Sequence, residues 1–326
     1  MAVVFSHCLY HPLSSSSSSS SSYVLAVSLQ SLLKLSRPRV LSVSASTTPS
    51  QIMDLHNKGR RKFIEFPYVS APHKKLMVDL VSMLDSRFDS HLLPCTLPPD
   101  VQYYQNQSGT SHASLHIRSG HVSSPIDFIL GSWIHCQLPN GGALNITSLS
   151  TYLNSSTDSP NFLMELIRSS PTSLVLILDL PPRKDLVLDP DYLQTFYEDT
   201  KLEAQRQLLE KIPEVRPYFS SSLYIRSVVS PTAILIRIES ENVERMEEII
   251  EDHVGPVAKQ VLQLWLDKCA SEKREVAEIE RDYLQKRDKL VRTKTIEIDL
   301  ASSLPRLFGP ETAERVMAAV KEYFSG

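Results

Sequence analysis

Two short apolar runs, Phe162 to Ile167 and Leu174 to Leu180, are separated by a Ser/Pro turn. Both are too short and too rich in β-branched residues for independent helices, and they predict two buried neighbouring strands. The first run, NFLMELI, carries Glu165 at its centre. Strand alternation places Met164 and Leu166 on one face and Leu163, Glu165 and Ile167 on the other, so neither register gives the carboxylate a polar side. Such a group must find a partner, keep water, or hold its proton to higher pH. A catalytic acid and a structurally paired strand Glu satisfy the pattern equally.

Around this pair the pattern predicts further elements. An apolar stripe at Leu76, Met77, Leu80, Val81 and Leu84 marks a helix beginning at His73, closed by Pro94, Pro98 and Pro99. The residues before it, KGRRK and FIEFPYVSAP, read as an irregular lead-in, and YYQNQSGTSH as a loop. Strand-like runs follow at Ala113–Arg118, Ile126–Leu138 and Ala143–Thr147, then at Leu223–Val228 and Ala233–Ile238. Asp189-Pro190 reads as a helix start, and a long helical region spans Val243 to Lys294 with an interruption at Gly255-Pro256. Closely spaced strands without βαβα alternation argue against a parallel dinucleotide-binding sheet. The expected class is α+β, with about seven mainly antiparallel strands flanked by helices.

Composition narrows the chemistry. With 34 Lys and Arg against 37 Asp and Glu the chain is near balance, which disfavours general nucleic-acid binding. Glycine is scarce, at 9 of 326 residues, and neither GxGxxG nor GxxxxGK[ST] occurs. The first acidic residue is Asp54, preceded by Lys34, Arg37, Arg39 and nine consecutive serines, Ser14 to Ser22. A Ser-rich, acid-free, mildly basic start predicts a plastid transit peptide over residues 1–50, leaving one domain over 51–326. Removing three positive charges and no negative ones takes the formal charge from −3 to −6. The apolar stretch Tyr23–Leu33 is broken and too short to span a bilayer. Four scattered cysteines form neither a disulfide frame nor a CxxC site.

Candidate chemistry is sparse. His116 and His135 sit within predicted strands without HExxH spacing, so a core or pocket-lining role fits them better than metal binding. A Ser-His-Asp hydrolase lacks its GxSxG elbow. In TIEIDLASSLPRLFG, Ile298 and Leu300 face something apolar while Glu297 and Asp299 share the other side. Asp299 is therefore a second acid of interest, or an ordinary acid at a helix start.

The segments SLHIRSG, PIDFILGSWIHC, LNITSLS, SPNFLMELI, LVLILDLPPRKDLVL, SPTA and LPRLFG resemble the red chlorophyll catabolite reductases of plants, from about Lys62 to the C-terminus. The resemblance implies a chloroplast enzyme with the α/β/α sandwich of the ferredoxin-dependent bilin reductases. It implies reduction of an open-chain tetrapyrrole, red chlorophyll catabolite, to a primary fluorescent catabolite, with electrons from reduced ferredoxin and no bound flavin, nicotinamide or metal. Glu165 and Asp299 match the family's two acidic pocket residues, and Val229, before SPTA, occupies a position implied to shape the pocket and the product's stereochemistry. His116, Trp133 and His135 are further candidates to line the same cleft. For docking the acidic ferredoxin the candidates are Arg60, Arg61, Lys62, Lys74, Lys75 and the run Lys286, Arg287, Lys289, Arg292 and Lys294. Contact with pheophorbide a oxygenase and a homodimer are implied as well, and no transmembrane segment is. A pigment carrier that reduces nothing, or a reductase of another bilin, would need much the same residues.

Overall fold

The computed structural model describes residues 48–271 and 274–324. The leader expected over residues 1–50 lies outside this range except for its last three residues. Eight strands form one fully antiparallel sheet in the order β1-β2-β3-β4-β5-β6-β8-β7. They are β1 (Tyr103–Gln105), β2 (Ser111–Ser119), β3 (Ile126–Gln137), β4 (Ala143–Leu153), β5 (Phe162–Ser170), β6 (Ser173–Asp179), β7 (Val215–Pro217) and β8 (Ile234–Glu239).

Helices cover both faces, giving the α/β/α sandwich. The first face is packed by α1 (Pro49–Ile64), α2 (Ala71–Phe88) and the helical run Val243–Cys269, around Leu76, Met77, Leu80, Met164, Leu166, Leu176 and Trp265. The second is packed by α3 (Leu223–Val228), by the end of α4 (Glu278–Thr295) with the turn Ile296–Leu300, and by α5 (Ala301–Phe308) and α6 (Pro310–Phe324). Its core includes Leu115, Leu130, Ile167, Ile177, Ile225, Leu304 and Val320. Gly309, at φ 81°, supplies the left-handed turn between α5 and α6, and Pro310 then opens the next helix.

Four local expectations are corrected. Residues 49–64 are helical rather than an irregular lead-in, because Thr48 and Gln51 form a reciprocal capping box. Leu223–Val228 is a helix, not a strand: the Ser222 hydroxyl accepts the Ile225 amide at 3.3 Å, and only Ile225 of the run is buried. Gly255-Pro256 does not interrupt its helix, since the π-turn Ile250–Val254 shifts the bonding register and the chain continues; the break falls between Ala270 and Ala277. The strand count rises to eight through β1 and β7, each three residues long.

Candidate active site

The register assigns every site candidate to a face. Glu165 lies opposite Ser148 and Ile177, and Ser148 opposite Ser132, so the carboxylate points to the second face within a polar row. The Ser132 and Ser148 hydroxyls are 2.7 Å apart in that row. Glu165 is 1% exposed. Asp299, also 1% exposed, reaches the same layer from the π-turn Ile296–Leu300. Helical geometry separates it from Glu297, which is exposed and bridges Lys294 at 2.6 Å; the expected shared side for Glu297 and Asp299 is thereby corrected.

Neither oxygen of the Asp299 carboxyl receives a hydrogen bond among the described residues. Burial first, and then the negative charge of Glu165, push its pKa from 3.8 up to about 8. Two buried acids close enough to repel make the protonated form of Asp299 the stable one at neutral pH.

Beside them a cleft with about 70 Å³ of free space, open to solvent, lies between α3 and α4 at one end of β4, β5 and β6. Its floor carries Ser150, Tyr152 and Leu163, its walls Pro181, Pro182, Val228 and Val229, and Arg287 and Arg292 add positive charge from α4. Both acids sit one step inward: Glu165 is two residues along β5 from Leu163 on the same face, and Asp299 is one turn beyond Thr295, which also lines the cleft. The half-buried Tyr152 phenol is pushed up to about 12, chiefly by desolvation, and so keeps its proton. A second hollow, between Glu214, Glu239, Glu241, Glu244 and Glu248, is open and acid-lined.

Two buried arginines hold α4 over the cleft. Arg183, fully buried, donates from Nη2 to Asp288 of α4 at 2.7 Å, from Nε to the same carboxylate at 3.1 Å, and to the carbonyls of Thr157 and Asn154. Arg292 lies 4.9 Å from the ring centres of both Phe128 and Tyr152 and bridges Asp127 at 2.7 Å.

Three kinds of comparison bear on this arrangement. The profile of the family described as red chlorophyll catabolite reductase matches residues 72–322. The chain belongs to the red chlorophyll catabolite reductase family. Its relatives include the chloroplastic red chlorophyll catabolite reductase of Arabidopsis thaliana, 53% identical over 99% of both chains. The chloroplastic red chlorophyll catabolite reductase 1 of Oryza sativa subsp. japonica is 46% identical over 78% of this chain and 79% of its own. Among solved structures, tomato phytochromobilin synthase in complex with biliverdin superposes with a TM-score of 0.59 at 16% identity, covering 77% of this chain and 82% of that one. That likeness establishes the bilin reductase fold and nothing more about the site.

Within the family fold, Val229 lines the cleft and the coupled Glu165 and Asp299 lie behind its lining on the same face, whereas the other three candidates lie elsewhere. His116 pairs with Gly131, Trp133 with Thr147 and His135 with Asn145, all pointing to the first face. His116 stacks on Phe63 of α1 with 5.6 Å between ring centres, and burial holds its imidazole neutral. Trp133 donates to the Lys62 carbonyl at 3.2 Å, and His135 stacks under Tyr68 at 3.9 Å. The sheet lies between these rings and Glu165, so they do not line its cleft. Sequence reasoning passed over Tyr152, Asp179, Arg183 and Asp288. Arg183 carried a signal, a charged residue directly behind an apolar strand in LDLPPRKD.

Proposed function

We propose that the protein reduces red chlorophyll catabolite, an open-chain tetrapyrrole, to its fluorescent product in the chloroplast, with reduced ferredoxin as the electron donor. The observation that carries this reading is the buried carboxyl of Asp299, without a hydrogen-bond donor among the described residues and coupled to Glu165, behind an apolar, arginine-flanked cleft. Saturating one carbon–carbon double bond takes two electrons and two protons. Two reduced ferredoxins supply the electrons one at a time, Asp299 is poised to supply one proton to the pigment radical at neutral pH, and solvent water at the open mouth of the cleft supplies the other. Glu165 keeps that proton in place through its charge. The apolar floor takes the pyrrole rings, Arg287 and Arg292 complement the pigment's acidic side chains, and closing water out strengthens every charge interaction within.

Ferredoxin approaches along α4 in this reading. Lys286 and Lys289 are exposed, Arg287 is half-buried, and none of the three forms a salt bridge among the described residues. Arg60, Lys62, Lys75, Arg292 and Lys294 are bridged to Asp85, Glu65, Glu251, Asp127 and Glu297. No helix among the described residues is long and apolar enough to cross a membrane. Localisation follows the chloroplastic relatives.

The test is an oxygen-free mixture of protein, catabolite and reduced ferredoxin. A reductase yields the blue-fluorescent product; a carrier binds the pigment and leaves its absorption band. Glu165→Gln is expected to suppress turnover far more than pigment affinity, and full turnover in that variant removes Glu165 from the chemistry.

A further inference from the structure

The cleft has two walls from distant parts of the chain, Pro181–Pro182 behind β6 and Val228–Val229 at the end of α3. One buried carboxylate ties them together. Asp179 is the last residue of β6, is 2% exposed, and lies opposite the cleft residue Leu163. It accepts the Ser230 amide at 3.0 Å and the Ser230 hydroxyl at 2.5 Å. Ser230 immediately follows Val229, while Pro181 stands two residues beyond Asp179.

Both ends of this link are themselves fixed. Leu180 is held by the Tyr197 hydroxyl, which donates to its carbonyl at 2.8 Å, and the Pro181 carbonyl accepts the Asn161 amide at 3.2 Å. Across the cleft the Ser230 hydroxyl accepts the Thr232 amide at 3.2 Å and the Ser230 carbonyl the Ala233 amide at 3.3 Å, one residue before β8 begins beside β6. Val229 itself is only half-buried and has extended backbone, φ −78° and ψ 154°, so little besides this link and the helix behind it fixes its position. An acid this deeply buried is costly to strand without donors, which makes the link an unusual choice for a simple turn.

We infer that Asp179 and Ser230 are positioning residues: their clasp sets the spacing between the Pro181–Pro182 and Val228–Val229 walls, and with it the face of the pigment that is offered for protonation. This rests on the proposed reduction of an open-chain tetrapyrrole in the same cleft. Neither residue lines the cleft, so their effect passes through Val229 and the prolines.

Ser230→Ala removes the hydroxyl donor and keeps the backbone one. It is expected to melt a few degrees below wild type while still folding, to raise KM for the pigment about three- to tenfold, the range one lost hydrogen bond spans, and to lower kcat less. It should also release a second product stereoisomer and speed hydrogen exchange at the Val229 and Ser230 amides. Ser230→Thr, which retains the hydroxyl, should restore all three. Val229→Ala, which alters the wall with the clasp intact, should mix the product isomers without exposing the Ser230 amide. Ser230→Ala with wild-type KM, a single isomer and unchanged exchange overturns the inference. Faster exchange in Ser230→Ala alongside a wild type that cannot reduce the pigment leaves the clasp standing and overturns the proposed reaction instead.

Discussion

Asp299 shows how burial changes the chemistry open to one carboxyl. A carboxyl with no hydrogen-bond donor, buried beside a second acid, is stable in its protonated form, and that is the form a proton donor needs. The same shift has a stability consequence. Because the folded-state pKa, about 8, lies above the ordinary 3.8, the contribution of Asp299 is fully present below 3.8 and is lost as pH rises through about 8. Asp299→Asn cannot ionise, so thermal melts should show the variant gaining on wild type between about pH 4 and pH 8 and levelling off above. A constant difference across that interval would mean that Asp299 ionises as an ordinary surface acid does.

At the scale of elements, α4 is the part the cleft depends on most. It contributes Arg287, Val291, Arg292 and Thr295 to the lining and leads into the turn that carries Asp299, and the Arg183–Asp288 pair anchors it. Removing one partner of a buried pair strands the other charge, so Arg183→Ala should cost about 3–5 kcal/mol in denaturant unfolding. Arg206→Ala, whose partners Glu203 and Glu210 are partly exposed on one helix, should cost no more than about 1 kcal/mol. Equal losses from the two would contradict the anchoring role.

This contrast also marks what the chain's pattern could convey. Glu165 was legible because strand alternation left it no polar side, and the stripe of α2 because Leu76, Met77, Leu80, Val81 and Leu84 repeat at helical spacing. Leu223–Val228 was misread because Tyr224, Ile225 and Val228 favour a strand, and a single serine cap outweighed that preference. His116, Trp133 and His135 were grouped with the wrong face because alternation orders residues within a strand, while the relation between strands rests on register, which no local pattern states. Arg183 with Asp288, and Asp179 with Ser230, join residues 105 and 51 apart in the chain, beyond the reach of any periodicity.

For the molecule as a whole, the sandwich divides the labour between two faces. The first buries aromatic and aliphatic side chains under α1, α2 and the run Val243–Cys269, and the second keeps acids, serines and an open cleft. With a formal charge of −3, attraction to an acidic donor has to be local, and in the proposed reading it falls to the exposed Lys286 and Lys289 of α4. KM for ferredoxin should therefore rise with ionic strength and rise further in Lys286→Glu with Lys289→Glu, while pigment affinity holds; salt-independent turnover would exclude electrostatic docking on α4. The most direct measurement of the central claim is the pH profile of oxygen-free, ferredoxin-driven reduction of red chlorophyll catabolite by wild type and Asp299→Asn. Wild-type turnover should fall as pH rises through about 8, and the variant should be slower by a factor of about 10² to 10⁴ with that limb absent. A variant that keeps both the rate and the limb would show that the proton comes from elsewhere.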